Sequence, residues 1–342
     1  MRKSIWIPSG SDLIDLVVGG GRGRGYEAGQ VINVCANSGQ GKSFMCCEII
    51  ANAYAKYKNK CKWVYDDCES GFTFDTKGLY GIEIIPNNPQ EVVRSPTIEK
   101  CYTNVLTFLQ DLKDDEFGIY VIDSIDGLVS DEIEDMTDER MKAHKAGKDY
   151  DKGSYQGGKP KFLSSQFLPT VAREAEKKNC LVIIVSQLRD NVGGGLYAPK
   201  DRVSNGRALL FYSHARVWYT TKQTIEHKDK AIGVVLSITT KKLKGPRPYR
   251  DCLVSLHFRR GIDNVGSNID YLYDTRTPDR GELKKRAVAE WDGVEYSRDD
   301  LIAYIEENNL EDELSRRVIE KWETAEEEAE KEVDVRKKRF EA

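Results

Sequence analysis

A mostly parallel α/β sheet with helices packed against it is the fold class this sequence predicts, and three observations predict it. Short runs rich in β-branched and aromatic residues, at 31–36, 62–66, 119–123 and 181–186, alternate with helical stretches. The chain has 342 residues, 39% of them hydrophobic, enough for one sizeable core and a smaller attached domain. The first run leads through a tight glycine-bearing loop into a helical segment at 44–57, a strand–loop–helix unit.

Along the chain, residues 1–6 lack the apolar stretch of a signal peptide, and no run approaches the roughly 18 apolar residues of a membrane span. A cytoplasmic location away from membranes is expected. The eight cysteines form no C-x-x-C pair and sit mostly in apolar runs, where a reduced thiol packs as a small hydrophobe. Later runs at 215–220, 233–240 and 253–258 follow one another with little helix between them, so antiparallel strands should extend the sheet. Two stretches break the pattern and are expected to be long loops: 131–161, charged and glycine-bearing, and 189–207.

The last 80 residues look separate, with a larger core at 1–262 and a small C-terminal α+β or helical domain at 263–342. Residues 263–342 hold 14 basic and 24 acidic side chains, a net of −10, whereas the first 262 hold 38 and 32, a net of +6. A basic core with an acidic tail suits a polyanion binder, and a solvated helical tail explains the acid equally well. Ser297 with Asp300 resembles a capping pair, and Leu314, Val318, Trp322, Ala325 and Ala329 keep a helical spacing. Beyond Trp322 that face is poor in large side chains, so this helix is expected to lie exposed or to dock on a partner.

The chemistry begins at Ala36-Asn37-Ser38-Gly39-Gln40-Gly41-Lys42-Ser43. Backbone N–H groups of such a loop, with the helix start behind it, cradle the phosphates of ATP; Lys42 reaches the β/γ-phosphates and the Ser43 hydroxyl ligates Mg²⁺. The pattern asks for glycine where this chain has Ala36. Asp123 ends an apolar strand, where a carboxylate can hold the metal's water shell. Glu69 follows the run at 62–66 and could polarise an attacking water, with Asp66 and Asp67 as competitors for that role.

Together with Asp123-Ser124-Ile125-Asp126-Gly127-Leu128 and Val185-Ser186-Gln187-Leu188-Arg189, the order of these pieces resembles the RecA recombinase family, in particular phage recombinases of the UvsX type. Residues 9–21, 206–212, 240–246 and 261–263 agree with the same family, and the similarity spans about 5–305. The resemblance implies a RecA-type core, an ATPase stimulated by DNA, ATP and Mg²⁺ as ligands, and a homo-oligomer, a helical filament, that takes single-stranded and then duplex DNA. It selects Glu69 as the catalytic glutamate and Gln187 as the γ-phosphate sensor leading into a second DNA loop. Lys242 matches a lysine reaching a neighbouring subunit's ATP, with Lys241 and Lys244 as alternatives, and Phe211 matches an aromatic inserted into the neighbour or else packed in the core. Arg189, Gly193, Gly194, Gly195, Lys200, Arg202 and Arg207 correspond to the second DNA loop, and Lys142, Lys145, Lys148, Lys152, Lys159 and Lys161 to a lengthened first one. The family's adenine-stacking tyrosine falls at Thr76, with Phe74 or Tyr80 as substitutes. Set against bacterial members, the similarity starts close to the core, and the N-terminal arm by which they join subunits is expected to be missing. A DNA translocase or helicase of the same fold and an ATP-gated annealing or regulatory assembly are the alternative functions.

Overall fold

The computed structural model describes residues 4–21, 24–88, 90–147, 158–190, 201–203, 206–284 and 288–333. In chain order its elements are β1 (Trp6–Ile7), α1 (Asp12–Val18), β2 (Tyr26–Glu27), β3 (Val31–Ala36), α2 (Lys42–Tyr57), β4 (Cys61–Asp67), α3 (Thr76–Tyr80) and α4 (Ile98–Asp111). Then come β5 (Phe117–Asp123), α5 (Asp131–Lys145), α6 (Gly158–Phe162), α7 (Leu168–Lys177), β6 (Cys180–Asp190), β7 (Asp201–Val203), α8 (Gly206–Tyr212), β8 (Ala215–His227) and β9 (Lys230–Leu243). The rest are β10 (Asp251–His257), β11 (Gly261–Asp263), α9 (Asn264–Leu272), β12 (Val288–Trp291), β13 (Val294–Ser297), α10 (Arg298–Glu307) and α11 (Glu311–Val333).

The chain forms two compact units, one of residues 1–7 and 27–219, the other of residues 8–26 and 220–342. In the first, the parallel order is β8-β3-β6-β5-β4. Every residue of β3 is buried, as a central strand flanked on both faces requires. Ile98, Val105 and Leu109 of α4 and Val171 of α7 pack with Tyr120, Ile122, Val182 and Ile184 of the sheet into one core cluster. The eight cysteines are free and all but Cys68 are buried, with thiols such as Cys35 and Cys61 pushed up to about 12 by burial.

In the second unit β9 pairs antiparallel with β10, and β10 with β11, as the later apolar runs led us to expect. The strands run further than those runs, because their polar ends continue the ladder without an apolar signal. Helix α1 is apolar over most of its length, with Leu13, Ile14, Leu16 and Val17 at most 1% exposed, and it packs on β9, β10, α9 and α11.

Two expectations are corrected. Within 131–161, where a long loop was expected, residues 131–145 form helix α5 and 158–161 already belong to a helical stretch that runs on to Lys177 through a π-helical turn at Leu163–Phe167. Helix α5 buries no residue, so it carries no apolar periodicity; its acids in the first turn and bases in the last follow the helix dipole instead. Helix α11 docks within its own unit, burying Leu314, Val318 and Trp322 at four-residue spacing, with Trp322 5.8 Å from Tyr271 of α9.

Candidate nucleotide and catalytic site

The carboxyl ends of β3, β4, β5 and β6 lie side by side, where open α/β sheets place their ligands. Between β3 and α2, Gly39 and Gly41 take φ of 74° and 75°, a left-handed backbone that side chains disfavour. A Cβ added at Gly39 would meet nothing within 4 Å, so its glycine serves the backbone conformation and leaves open space above the loop. Gly41 caps α2 with no side-chain bond, which leaves the first-turn N–H groups of a 16-residue helix facing that space.

Lys42 is 9% exposed, and its ammonium donates to the carbonyls of Ala36 at 3.2 Å and Asn37 at 2.8 Å. Burial lowers its pKa, and the carboxylates of Asp123 and Glu69 oppose that shift. The Ser43 hydroxyl donates to Asp123 Oδ2 at 2.5 Å, and the Tyr65 hydroxyl donates to the same oxygen. Burial raises the Asp123 pKa against the pull of these two hydroxyls. Tyr65 was not singled out in the sequence; it sits two residues before Asp67, whose register partner is Asp123, and only that cross-strand register reveals it.

The carboxylates at the end of β4 divide sharply. Asp66 is fully buried and accepts from the Ser95 backbone N–H at 2.8 Å, the Ser95 hydroxyl and the Tyr120 hydroxyl. Asp67 accepts from Gly71 N–H at 3.1 Å and Arg94 Nε at 3.3 Å, shaping the turn after the strand. Glu69 is exposed, and its Oε1 accepts from Gln187 Nε2 at 2.9 Å and from the Ser124 hydroxyl. Gln187 N–H in turn donates to Asp126 Oδ2 at 2.8 Å, so one network joins the ends of β4, β5 and β6. Lys159 of α6 closes the turn after β5, donating to the carbonyls of Ile125 and Leu128 at 2.6 Å each.

The segment that follows β4 encloses a cavity of about 430 Å³ lined by Phe72, Phe74, Asp75, Lys77, Asn87 and Arg94 among others. Phe74 is 38% exposed, with its ring edge-on to Phe44 at 5.6 Å. The Tyr80 hydroxyl is committed to Glu48 Oε1 at 3.1 Å, and Thr76 is buried with its Oγ1 accepting from Ile84 N–H. A larger cavity of about 620 Å³ opens at the other end of β4, beside Lys62, Trp63 and Glu116, away from these groups.

Strand β6 carries Arg189 onward from Gln187 and pairs it with Arg202 of β7, in a short antiparallel ladder. Arg207 is exposed on α8, and Phe211 on the same helix is 70% exposed rather than part of the core. Gly193, Gly194, Gly195 and Lys200 lie outside the described residues, as do Lys148 and Lys152. In the second unit Lys242 lies near the end of β9 and the exposed Lys244 in the turn that follows. Among the described residues, no helix is long and apolar enough to cross a membrane.

The RecA N-terminal domain family model matches residues 3–263. The chain is 25% identical to Protein RecA of Malacoplasma penetrans over 322 residues, covering 92% of this chain and 87% of that protein. It is 27% identical to Protein RecA of Trichodesmium erythraeum over 306 residues, 88% of this chain and 76% of that one. Protein RecA of Rippkaea orientalis is 25% identical over 321 residues, 93% and 83% of the two chains. With a glycine-bearing phosphate loop on β3, a partly buried aspartate ending β5, a glutamate and glutamine joined across β4 and β6, and a family match over most of its length, this chain belongs to the RecA family.

Proposed function

We propose that this protein is an ATP-dependent DNA recombinase that assembles on single-stranded DNA, hydrolyses ATP and pairs the bound strand with a homologous duplex. The observation that carries the reading is the hydrogen-bonded path from Glu69 through Gln187 into β6, which runs on to Arg189. A water-polarising carboxylate is thereby joined to a strand that leads toward the DNA-binding residues. Lys42 and the N–H groups at the start of α2 hold the phosphates of ATP. Ser43 and Asp123 bring two hard oxygens together at the end of the loop, hydrogen-bonded to one another, and a hydroxyl with a carboxylate is a donor set of the kind that would hold Mg²⁺ and its water shell. Bound there, Mg²⁺ neutralises charge on the transferred phosphate. Glu69 takes a proton from the attacking water, a role for which Asp66 and Asp67 are poorly suited because each is buried in bonds of its own. Gln187 reports the γ-phosphate to β6.

Adenine stacks on Phe74, the aromatic ring exposed at the cavity, since Tyr80 is tethered to α2 and Thr76 is buried. Arg189 and Arg202 are register partners in the ladder of β6 and β7, which puts two basic residues on the segment that takes the phosphates of DNA. With Gly193, Gly194, Gly195, Lys200 and Arg207 they form the second DNA site, in a protein of the cytoplasm. Lys242 and Lys244 reach the ATP of the next subunit in a helical filament, and Phe211 seats in that neighbour. The family match ends at residue 263, which supports an ATPase core at 1–262 with a C-terminal domain at 263–342. The finer placement among phage UvsX-type recombinases rests on the segments at 9–21, 206–212 and 240–246.

The test is steady-state ATP hydrolysis with and without single-stranded DNA, for the wild type and Lys242→Ala. Hydrolysis that rises steeply with DNA, and loses that rise in the variant, is expected; a rate indifferent to DNA overturns the reading.

A further inference from the structure

The turn that carries the lysines is held far more firmly than an exposed basic hairpin needs. It is closed at its base by Thr240 and Arg250: Thr240 N–H donates to the Arg250 carbonyl at 2.9 Å, and Arg250 N–H to Thr240 Oγ1 at 3.1 Å. On one side, α11 offers Glu323, Glu326 and Glu330 at spacings of three and four residues, which place them on one face. Arg247 reaches all three, with Nη1 2.8 Å from Glu323 and Nε 3.6 Å from Glu326 and 3.3 Å from Glu330. Arg250 grips both oxygens of Glu326, the Nη2 contact measuring 2.6 Å. The Arg247 and Glu326 side chains are only 15% and 10% exposed, so the centre of the clamp is shielded from water, while Arg250 at 37% and Glu330 at 61% form its open rim.

On the other side the turn meets Gly20 and Gly21, at φ of 70° and 96°. A Cβ at Gly21 would lie 2.7 Å from Arg247 Nη1 and 2.9 Å from Glu323 Oε1, and one at Gly20 would lie 3.2 Å from Pro246 Cδ. The backbone of 20–21 thus has no side chain where the arginines and Pro246 need room. The acids of the C-terminal segment, whose net charge is −10, are in this part spent on two arginines of the second unit itself.

We propose that Arg247 and Arg250, clamped by Glu323, Glu326 and Glu330 of α11, are positioning residues that hold the hairpin end at 241–249, the last residues of β9 with the turn that follows, so that Lys242 is offered to a neighbouring subunit's ATP. This rests on the reading of Lys242 given above. The C-terminal helix then acts on hydrolysis at a distance, by fixing the height and direction of a lysine-bearing finger. Bidentate pairing suits that task, because a planar guanidinium held by both carboxylate oxygens fixes orientation as well as distance.

The experiment compares full-length Arg250→Glu, Glu326→Arg, the charge-swapped double variant and Lys242→Ala. Each is measured for DNA-stimulated kcat, KM for ATP, and amide exchange of residues 241–250. We expect each single clamp variant to lose roughly 10- to 100-fold in kcat, the scale of a misplaced catalytic group, with KM little changed and exchange of the turn accelerated. The swap should recover both readouts, which a variant that merely unfolds cannot do. Lys242→Ala should lose kcat and leave exchange as in the wild type. Accelerated exchange with wild-type kcat overturns the proposal, as does unaltered exchange in the single variants. A wild-type rate in Lys242→Ala, with the clamp variants still slow, rejects the lysine reading, and with it the catalytic half of the proposal; the exchange data separately decide whether α11 holds the turn.

Discussion

Replacing Lys42 with methionine should separate what this side chain does for the fold from what it does for the nucleotide. Its ammonium donates to two carbonyls of its own loop, at 3.2 and 2.8 Å. Hydrogen bonds from a charged donor contribute about 1.5–3 kcal/mol each, so the pair gives roughly 3–6 kcal/mol. Withdrawing an ammonium from water costs several kcal/mol, and burial lowers the Lys42 pKa in keeping with that cost. The two contributions nearly cancel, and methionine keeps the length of the side chain. The nucleotide-free variant should therefore melt within about 4 °C of the wild type. Phosphate binding has no such compensation: removing one partner of a buried charged contact costs about 2–5 kcal/mol, a loss of about 30- to 5000-fold in Kd. Titration with a fluorescent ATP analogue beside a thermal melt reads both quantities. A Kd within about fivefold of wild type would refute the phosphate role, and a collapse of the melting temperature would make Lys42 a structural residue.

Glu69→Gln should lower hydrolysis by about 100-fold or more, the usual contribution of a general base, while binding of ATP and single-stranded DNA persists; substantial residual turnover would return the role to another group. Trp322→Ala, which empties a site 6% exposed beside Tyr271, should cost about 3–5 kcal/mol in urea unfolding; an unaltered transition would mean that α11 does not dock there. Burial places the Lys159 pKa below 10.5, so between its folded value and 10.5 the unfolded chain binds more protons and stability rises with pH. The stability of the wild type relative to Lys159→Met should accordingly rise toward pH 10.5, and a flat difference would refute the buried ammonium.

The phosphate loop was legible because strand, glycines, lysine and helix are contiguous, and local chemistry alone fixes their geometry. Strands β3 to β6 were legible as apolar runs, although β6 extends to Asp190 and β9 to Leu243, beyond the apolar signal. What pattern could not supply is long-range register. Tyr65 meets Asp123, and Gln187 meets Glu69 118 positions away, only because parallel pairing aligns the strand ends. The choice among Asp66, Asp67 and Glu69 was likewise closed to composition, since three adjacent carboxylates differ only in which donors the fold brings to each. Helix α5 hid for the opposite reason: a helix with every residue at least partly exposed leaves no periodic trace. The docking of α11 was masked by its glutamates, which read as solvated charge and turn out to face arginines.

The second unit is assembled from two segments far apart in the sequence, residues 8–26 and 220–342, so its parts are made at different times. Helix α1 leaves the ribosome well before β9, β10, α9 and α11, which cover Leu13, Ile14, Leu16 and Val17 and are all made after residue 229. Asp12 also waits for Asn264 and Asn268, whose amides donate to its carboxylate at 3.0 and 2.6 Å. At about 5–20 residues per second, the interval between translation of α1 and completion of α11 is roughly 15–60 s. For that time a short, nearly all-apolar helix lacks its partners, and a nascent chain in this condition is a client for holding chaperones. Prematurely terminated products of this gene would keep that surface bare permanently, which favours their degradation over their co-assembly with intact subunits.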